Sequence, residues 1–364
     1  MHLRQPLASS HAKHEHFIIY NNVCQYLFKK NNINIDSKCV LWYTFKKTLA
    51  ENIMKLKFDV KNKKQPDPFI FEDGGKFYIF ATGSEGVEAY STSDIFGTWK
   101  YEGIVTEFAE GSYDFWAPSV IKYEGKYYIY VSCRGKDDPD ECMRVAVSDS
   151  PLGPFKKEKK LYDKFSIDSH AVTTEAGLFL WLSMNDWHFD ETRRAGTRIF
   201  VVKMKDPYTP EGEPVEKVIP TLGEEKFTPQ CNEKIQWHTI EGAFWFKEGD
   251  YQYLMYSGGC YQDDTYHIGY CYAKSDEPDL RKVEFIKRID GGKFAPTIIG
   301  NSFEEGTGHH SVLKLDGKYY AIYHGRDVGV YDKNAEYVEE RTARICALQV
   351  SDEKIIAHQY PDKI

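Results

Sequence analysis

The chain of 364 residues is short of several features that would place it quickly. It has no run of eighteen apolar residues, so no helix long enough to cross a bilayer is expected. It has no basic excess. Its 47 Lys and Arg stand against 55 Asp and Glu for a net charge of -8, which excludes the basic face that nucleic-acid binding needs. The eight cysteines, Cys24, Cys39, Cys133, Cys142, Cys231, Cys260, Cys271 and Cys346, include no CxxC pair and no close Cys/His set. A zinc site is therefore not expected, and those within strand-like runs read as small buried residues. No export signal is visible, and reduced thiols suit a cytoplasmic protein. Nothing in the composition reports on oligomeric state.

Aromatic residues are plentiful: 26 Tyr and 22 Phe contribute to an aromatic content of 15%. That bias suits strands more than helices. Residues 1–53 differ in texture, with few glycine turns, and they join the rest at MKLKFDVKNKKQPDPF. Met54 reads as a natural start, so 1–53 is expected to be an extension outside the main fold and 54–364 the main domain; an added element packed on that domain is the alternative.

An internal repeat runs through the main domain. Five segments share a glycine turn followed by alternating aromatics: EDGGKFYIFATG, YEGKYYIYVSCRG, TEAGLFLWLSMND, KEGDYQYLMYSGG and LDGKYYAIYHGRD. A short apolar strand precedes each turn, in PFIF, PSVIKY, AVTTE, GAFWF and SVLKL, which makes each a β-hairpin. The turn glycines Gly75, Gly125, Gly177, Gly249 and Gly317 are 50, 52, 72 and 68 residues apart by subtraction. Each interval holds about four short strands, one blade of a propeller. The expected fold is all-β, a five-bladed β-propeller; a β-sandwich with five similar hairpins explains the regular spacing less well.

The polar residues gain meaning from this repeat. Counting back eight residues from each turn glycine reaches Asp67, Ala117, Ser169, Glu241 and His309, with Asp168 one further back. Inner strands start near this point, so equivalent positions should ring the central axis at one mouth. Three carboxylates and a histidine then converge from four blades. Carboxylates facing one another across a sugar are the minimum for glycoside hydrolysis, one protonated and one ionised, their pKa values driven apart by surroundings. Glu241 precedes an apolar Gly-Ala-Phe-Trp run that should raise its pKa, and Asp67 sits between two prolines that should fix its direction.

The segments QPDPFIF, FWAPSV, SIDSHAV, TIEGAFWF and GTGHHSV resemble the signature segments of glycoside hydrolase family 43, in order and in phase with the repeat. The resemblance covers nearly all of the region from Met54 onward. It implies that Asp67 is general base, Glu241 general acid, and Asp168 the residue that orients the acid and raises its pKa. It also implies inversion of the anomeric centre, with carboxyl groups about 6.5–9.5 Å apart, and arabinofuranosyl or xylosyl units of small oligosaccharides as substrate. His309 matches a family histidine near the axis that often binds a calcium or sodium ion through water, and Arg341 or Arg344 an arginine that reaches the substrate in many members. Trp116 and Phe244 are expected to line the wall or core, offering aromatic faces to sugar; by position Trp187, His188 and Trp245 lie near the mouth.

Two departures stand out: Ser119 follows Pro118 where an acid is frequent, and Ser169-His170 follows Asp168. Three rival readings remain open. A five-bladed phosphorylase would need a basic phosphate pocket, a fructosidase-like enzyme would carry RDP and EC segments that are absent, and a sugar-binding propeller would have no use for three carboxylates.

Overall fold

A computed structural model describes residues 55–185, 194–228, 235–332 and 337–359. Five antiparallel sheets follow one another along the chain as the blades of a propeller. Blade 1 contains Phe69–Asp73, Lys76–Ala81, Glu88–Thr92 and Thr98–Ile104, and blade 2 contains Tyr113–Tyr123, Lys126–Arg134, Cys142–Ser148 and Lys156–Lys160. Blade 3 runs through Ser166–Thr174, Gly177–Asn185, Thr197–Asp206 and Thr209–Val218. Blade 4 holds Ile240–Glu248, Tyr251–Gly258, His267–Lys274 and Ile286–Lys287, and blade 5 holds Glu304–Leu315, Lys318–Asp327, Thr342–Ser351 and Lys354–His358. The hairpins at the five turn glycines are the first two strands of each blade. Residues 1–54 lie outside the described residues, and with them the expected extension.

Alternation along each strand sends apolar side chains to both faces, so every blade is glued to its neighbours. The five junctions are five separate buried layers. Phe80, Ile129 and Phe155 join blades 1 and 2; Tyr130, Leu180 and Val202 join 2 and 3; Trp181, Leu254 and Cys271 join 3 and 4. Met255, Ala321 and Cys346 join 4 and 5, and Ile79, Trp99, Ile322 and Ile345 join 5 back to 1. Each of the larger aliphatic and Phe side chains among them contributes about 1.5–3 kcal/mol by leaving water.

The last junction has a second device. Lys57–Phe58 adds a parallel fifth strand to blade 1, against Thr98 and Trp99. The adjoining Leu56 N–H donates to the carbonyl of Ala343 in blade 5 at 3.0 Å. One short segment thus straps the first blade to the last.

The inner strand of every blade carries the same irregularity. In blade 4, Glu241 pairs with Ser257 and Phe244 with Met255, three steps on one strand against two on the other. The same single extra residue lies between Ile167 and His170 in blade 3, between Trp116 and Ser119 in blade 2, and between Gly308 and His310 in blade 5. In blade 1 the Thr82 N–H reaches the carbonyl of Pro66 while Phe80 pairs with Phe69, again three against two. These are β-bulges, which bend a strand and re-aim its side chains. In each, one residue has a left-handed backbone: Asp67, Ala117, Asp168, Gly242 and His309, with φ of 53°, 46°, 60°, 62° and 42°. Four are not glycine, a strained choice of the kind that gathers at functional sites.

Candidate active site

The bulges bring the start of each inner strand to one end of the axis. Because neighbouring strands are antiparallel, the ends of the second strands and the starts of the third lie at the same mouth, as where Gly258 pairs with His267. Side chains from all three strand positions therefore meet around the axis.

Asp67 is buried and held on both oxygens. Oδ1 accepts from Nη1 of Arg341 at 3.0 Å, and Oδ2 accepts from the hydroxyl of Thr82 at 2.6 Å. That hydroxyl also accepts the N–H of Ala117 at 2.8 Å, which fixes Asp67 to blade 2. The Asp67 N–H donates to Nδ1 of His324 at 3.1 Å. Burial alone would raise the Asp67 pKa, but Arg341, His309 and His324 outweigh it and hold the carboxyl well below the usual range. Arg341 is itself kept in place by Glu339, whose carboxylate accepts from Nε at 3.1 Å and from Nη2 at 2.6 Å.

Glu241 lies half-buried at the mouth, with the hydroxyl of Tyr266 donating to Oε1 at 2.7 Å. Burial, opposed by Tyr266 and assisted by the charge of Asp67, raises its pKa to about 7. Asp168 is buried and accepts the N–H of Gly242 on Oδ2 at 3.0 Å. Burial first, then the charges of Glu241 and Asp67, push its pKa well above the ordinary carboxylate value. The repulsion is mutual, so Asp168 and Glu241 titrate as a pair that keeps a proton well above the usual range. The site thus combines one carboxylate forced to stay ionised with a pair forced to stay partly protonated.

Among the other expected residues, His309 joins the cluster. Its Nδ1 lies 3.6 Å from Oδ1 of Asp67, and burial lowers the pKa of the ring. A Cβ on Gly242 would come within 3.3 Å of that nitrogen, which restricts position 242. Arg341 is at the site, whereas Arg344 is not: its guanidinium is buried against Asp327 at 2.7 Å and faces Glu304. Phe244 packs in the axis, among buried core residues. The extra residue of the bulge turns it inward, where His170 stacks on its ring at 3.9 Å. Trp116 sits half-buried beside Ala117 in the bulge of blade 2. Trp245 directs its indole N–H to Gln252 within blade 4. Trp187 and His188 lie outside the described residues.

Both departures from the family pattern find partners inside the fold, His170 through one ring nitrogen. Ser119 is fully buried and shares a 2.9 Å hydrogen bond with Ser169 of the next blade, a place where a lone carboxylate would be costly. His170 places Nε2 3.1 Å from the carbonyl of Trp245.

A small cavity of about 10 Å³ lies on the axis beneath the mouth, bounded by Asp67, Ser169, His170, Phe244, His309 and His310. The unpartnered atoms there are Nδ1 of His170 and both ring nitrogens of His310. Imidazole nitrogen is a poor ligand for a hard cation, and the described residues contain no group of three or more His, Cys, Asp or Glu placed for a metal. The described side chains thus offer no direct ligand set for Ca²⁺ or Na⁺, and an ion at His309 would be held through water.

Thr82, Tyr266, His324 and Glu339 were not marked by the repeat. The first three stand at the mouth ends of second or third strands, where counting from inner-strand glycines does not reach. Glu339 precedes Arg341 by two residues in a connecting segment.

The model of the family described as glycosyl hydrolases family 43 matches residues 59–355. The extracellular exo-α-(1→5)-L-arabinofuranosidase of Cellvibrio japonicus is 27% identical over 285 residues, 71% of this chain and 78% of that protein. The arabinan endo-1,5-α-L-arabinosidase A of Aspergillus niger is 24% identical over 295 residues, 73% of this chain and 83% of its own. A crystal structure of a thermostable family-43 glycoside hydrolase matches with a TM-score of 0.67 at 27% identity, covering 82% of this chain and 94% of that one. The extracellular relative overturns the cytoplasmic reading, which rested on thiol count and on the look of the first residues.

Proposed function

The chain belongs to glycosyl hydrolases family 43 and is a glycosidase acting on oligosaccharides, and from that premise we propose that it hydrolyses α-L-arabinofuranosyl bonds with inversion, outside the cell. The observation that carries the chemistry is the opposed titration of Asp67 and Glu241 at one mouth. Asp67, ionised and gripped by Arg341 and Thr82, takes a proton from water as the water attacks the anomeric carbon. Glu241 gives its proton to the departing oxygen. Asp168 holds the backbone at Gly242 and keeps the acid protonated by repulsion. His309 and Arg341 shape the floor against Asp67. The names of the two arabinan-active relatives favour arabinose over xylose as the sugar. Rival readings are not favoured, since the family and its named relatives are hydrolases.

Two variants and two substrates test this. Glu241→Gln should lower kcat on an arabino-oligosaccharide by about 10²–10⁴-fold. It should lose less on 4-nitrophenyl α-L-arabinofuranoside, because nitrophenolate leaves without needing a proton. Asp67→Asn should lose heavily on both. If Glu241→Gln keeps wild-type rates on the oligosaccharide, Glu241 is not the acid; if 4-nitrophenyl β-D-xyloside is the faster of the two glycosides, the sugar assignment fails. Product NMR immediately after mixing reads the anomer, and retention would exclude the inverting route.

A further inference from the structure

Glu241 has two carboxyl oxygens, and a general acid must place its proton on the one facing the leaving group. Tyr266 distinguishes them. Its hydroxyl donates to Oε1 at 2.7 Å, and an oxygen that accepts so short a bond is a poor place for a proton. The Tyr266 ring has little freedom to turn away. It is buried, stacks on His324 with centroids 5.5 Å apart and planes 13° from parallel, and passes Gly308 so closely that a Cβ there would lie 2.0 Å from two ring carbons. The hydroxyl is also a permanent donor, since burial and the nearby charges of Glu241, Asp168 and Asp67 push its own pKa well above that of a free tyrosine.

We propose that Tyr266 is a positioning residue that assigns the catalytic proton to Oε2 of Glu241 and keeps the acid from holding it too tightly. The proposal rests on the reading of Glu241 as acid. The donated bond stabilises the ionised carboxylate, so it opposes the burial that raises the pKa. The same carboxylate faces Asp67 from blade 1, Asp168 from blade 3 and Arg341 from blade 5, with Tyr261 and Cys260 at the adjoining end of blade 4. Among the described residues none of these donates a hydrogen bond to either oxygen, which leaves Tyr266 as the group that breaks their symmetry. Tyr266 directly precedes the third strand of blade 4, His267–Lys274, and Glu241 lies at the start of the first, so the acid and its positioning residue stand at one mouth of one sheet with the second strand between them.

The test is the pH profile of kcat/KM for Tyr266→Phe, which keeps the ring and its stacking. Its basic limb should move to higher pH, and kcat on an arabino-oligosaccharide should fall about tenfold, the worth of one such bond. Gly308→Ala should move the limb in the same direction by displacing the ring while the hydroxyl remains in the chain. An unmoved limb in Tyr266→Phe overturns the proposal whatever happens to kcat. So does a collapse of melting temperature in both variants, because the tyrosine would then serve the fold. Glu241→Gln on the same substrate separates the two readings: if it is inactive while Tyr266→Phe titrates like wild type, the acid stands and the positioning role falls.

Discussion

The amide of Gly242 donates to Oδ2 of Asp168 at 3.0 Å, so the residue directly behind Glu241 is held by a carboxylate of the adjacent blade. Position and charge are thereby supplied by one side chain. Where Asp168 is fixed, Glu241 is fixed, and the two feel each other's charge.

This arrangement costs stability at neutral pH, and the sign can be worked out. Asp168 has a folded pKa raised above the unfolded value of about 3.9. The native state therefore binds the proton more tightly than the unfolded chain, and stability present below about pH 4 is lost as pH rises toward the folded value. Asp168→Asn keeps an acceptor for Gly242 and removes the charge. Its melting temperature should exceed that of wild type at pH 7–8, with the gap closing toward pH 4, while kcat falls on the order of 10²-fold. Differential scanning calorimetry across that range checks it; a lower melting temperature at pH 8 would contradict the burial argument.

The wild-type pH profile should be lopsided. Asp67 stays ionised far into acid because Arg341, His309 and His324 together outweigh its burial, whereas Glu241 loses its proton near pH 7. Accordingly kcat/KM should fall above about 7 and show a flat acid side. A symmetric bell centred near neutrality would mean that Asp67 is not held down.

Arg341→Met removes the cation that lowers Asp67 and leaves the buried Asp67 and the partly exposed Glu339 without their shared partner. The acid limb of kcat/KM should move to higher pH. Unfolding free energy in urea should drop by about 3–5 kcal/mol, as expected when one member of a buried ion pair is deleted. Unchanged stability would show that the pair is solvated in solution.

Thr82→Val is nearly isosteric yet removes a donor from Asp67 and an acceptor from Ala117. We expect a loss of about 1–3 kcal/mol in urea unfolding from the stranded Ala117 N–H, and a rise in the Asp67 pKa seen as an upward shift of the acid limb. If only stability changes, the hydroxyl serves the bulge and not the base.

The propeller was legible because its hairpins repeat a turn glycine and an aromatic alternation, both local features. Asp67, Asp168, Glu241 and His309 followed from phase alone. What phase could not convey was the bulge. Alternation has a period of two, so one extra residue reverses every side chain after it. Asp168 sits one place off the count for a separate reason: Gly177 pairs with Thr174 just past its two-residue turn, whereas Gly75 and Gly125 lie inside theirs. Arg341 and Arg344, three residues apart in one segment, looked equivalent; pairing with Asp67 on one side and with Asp327 on the other separates them. Partners such as Tyr266 and His324 approach from other strands, and their distance along the chain hid them.

The strap formed by Leu56 and Lys57–Phe58 makes the circle of blades a closed belt whose buckle lies next to Asp67. Only eight residues of chain separate Phe58 from Asp67, and Gln65, between them, also donates its N–H to the carbonyl of Arg341 at 3.1 Å. If the buckle slips, the carboxylate and its arginine part company at once. Heat inactivation and the opening of the ring between blades 1 and 5 should then be a single event, with catalytic loss reporting that seam.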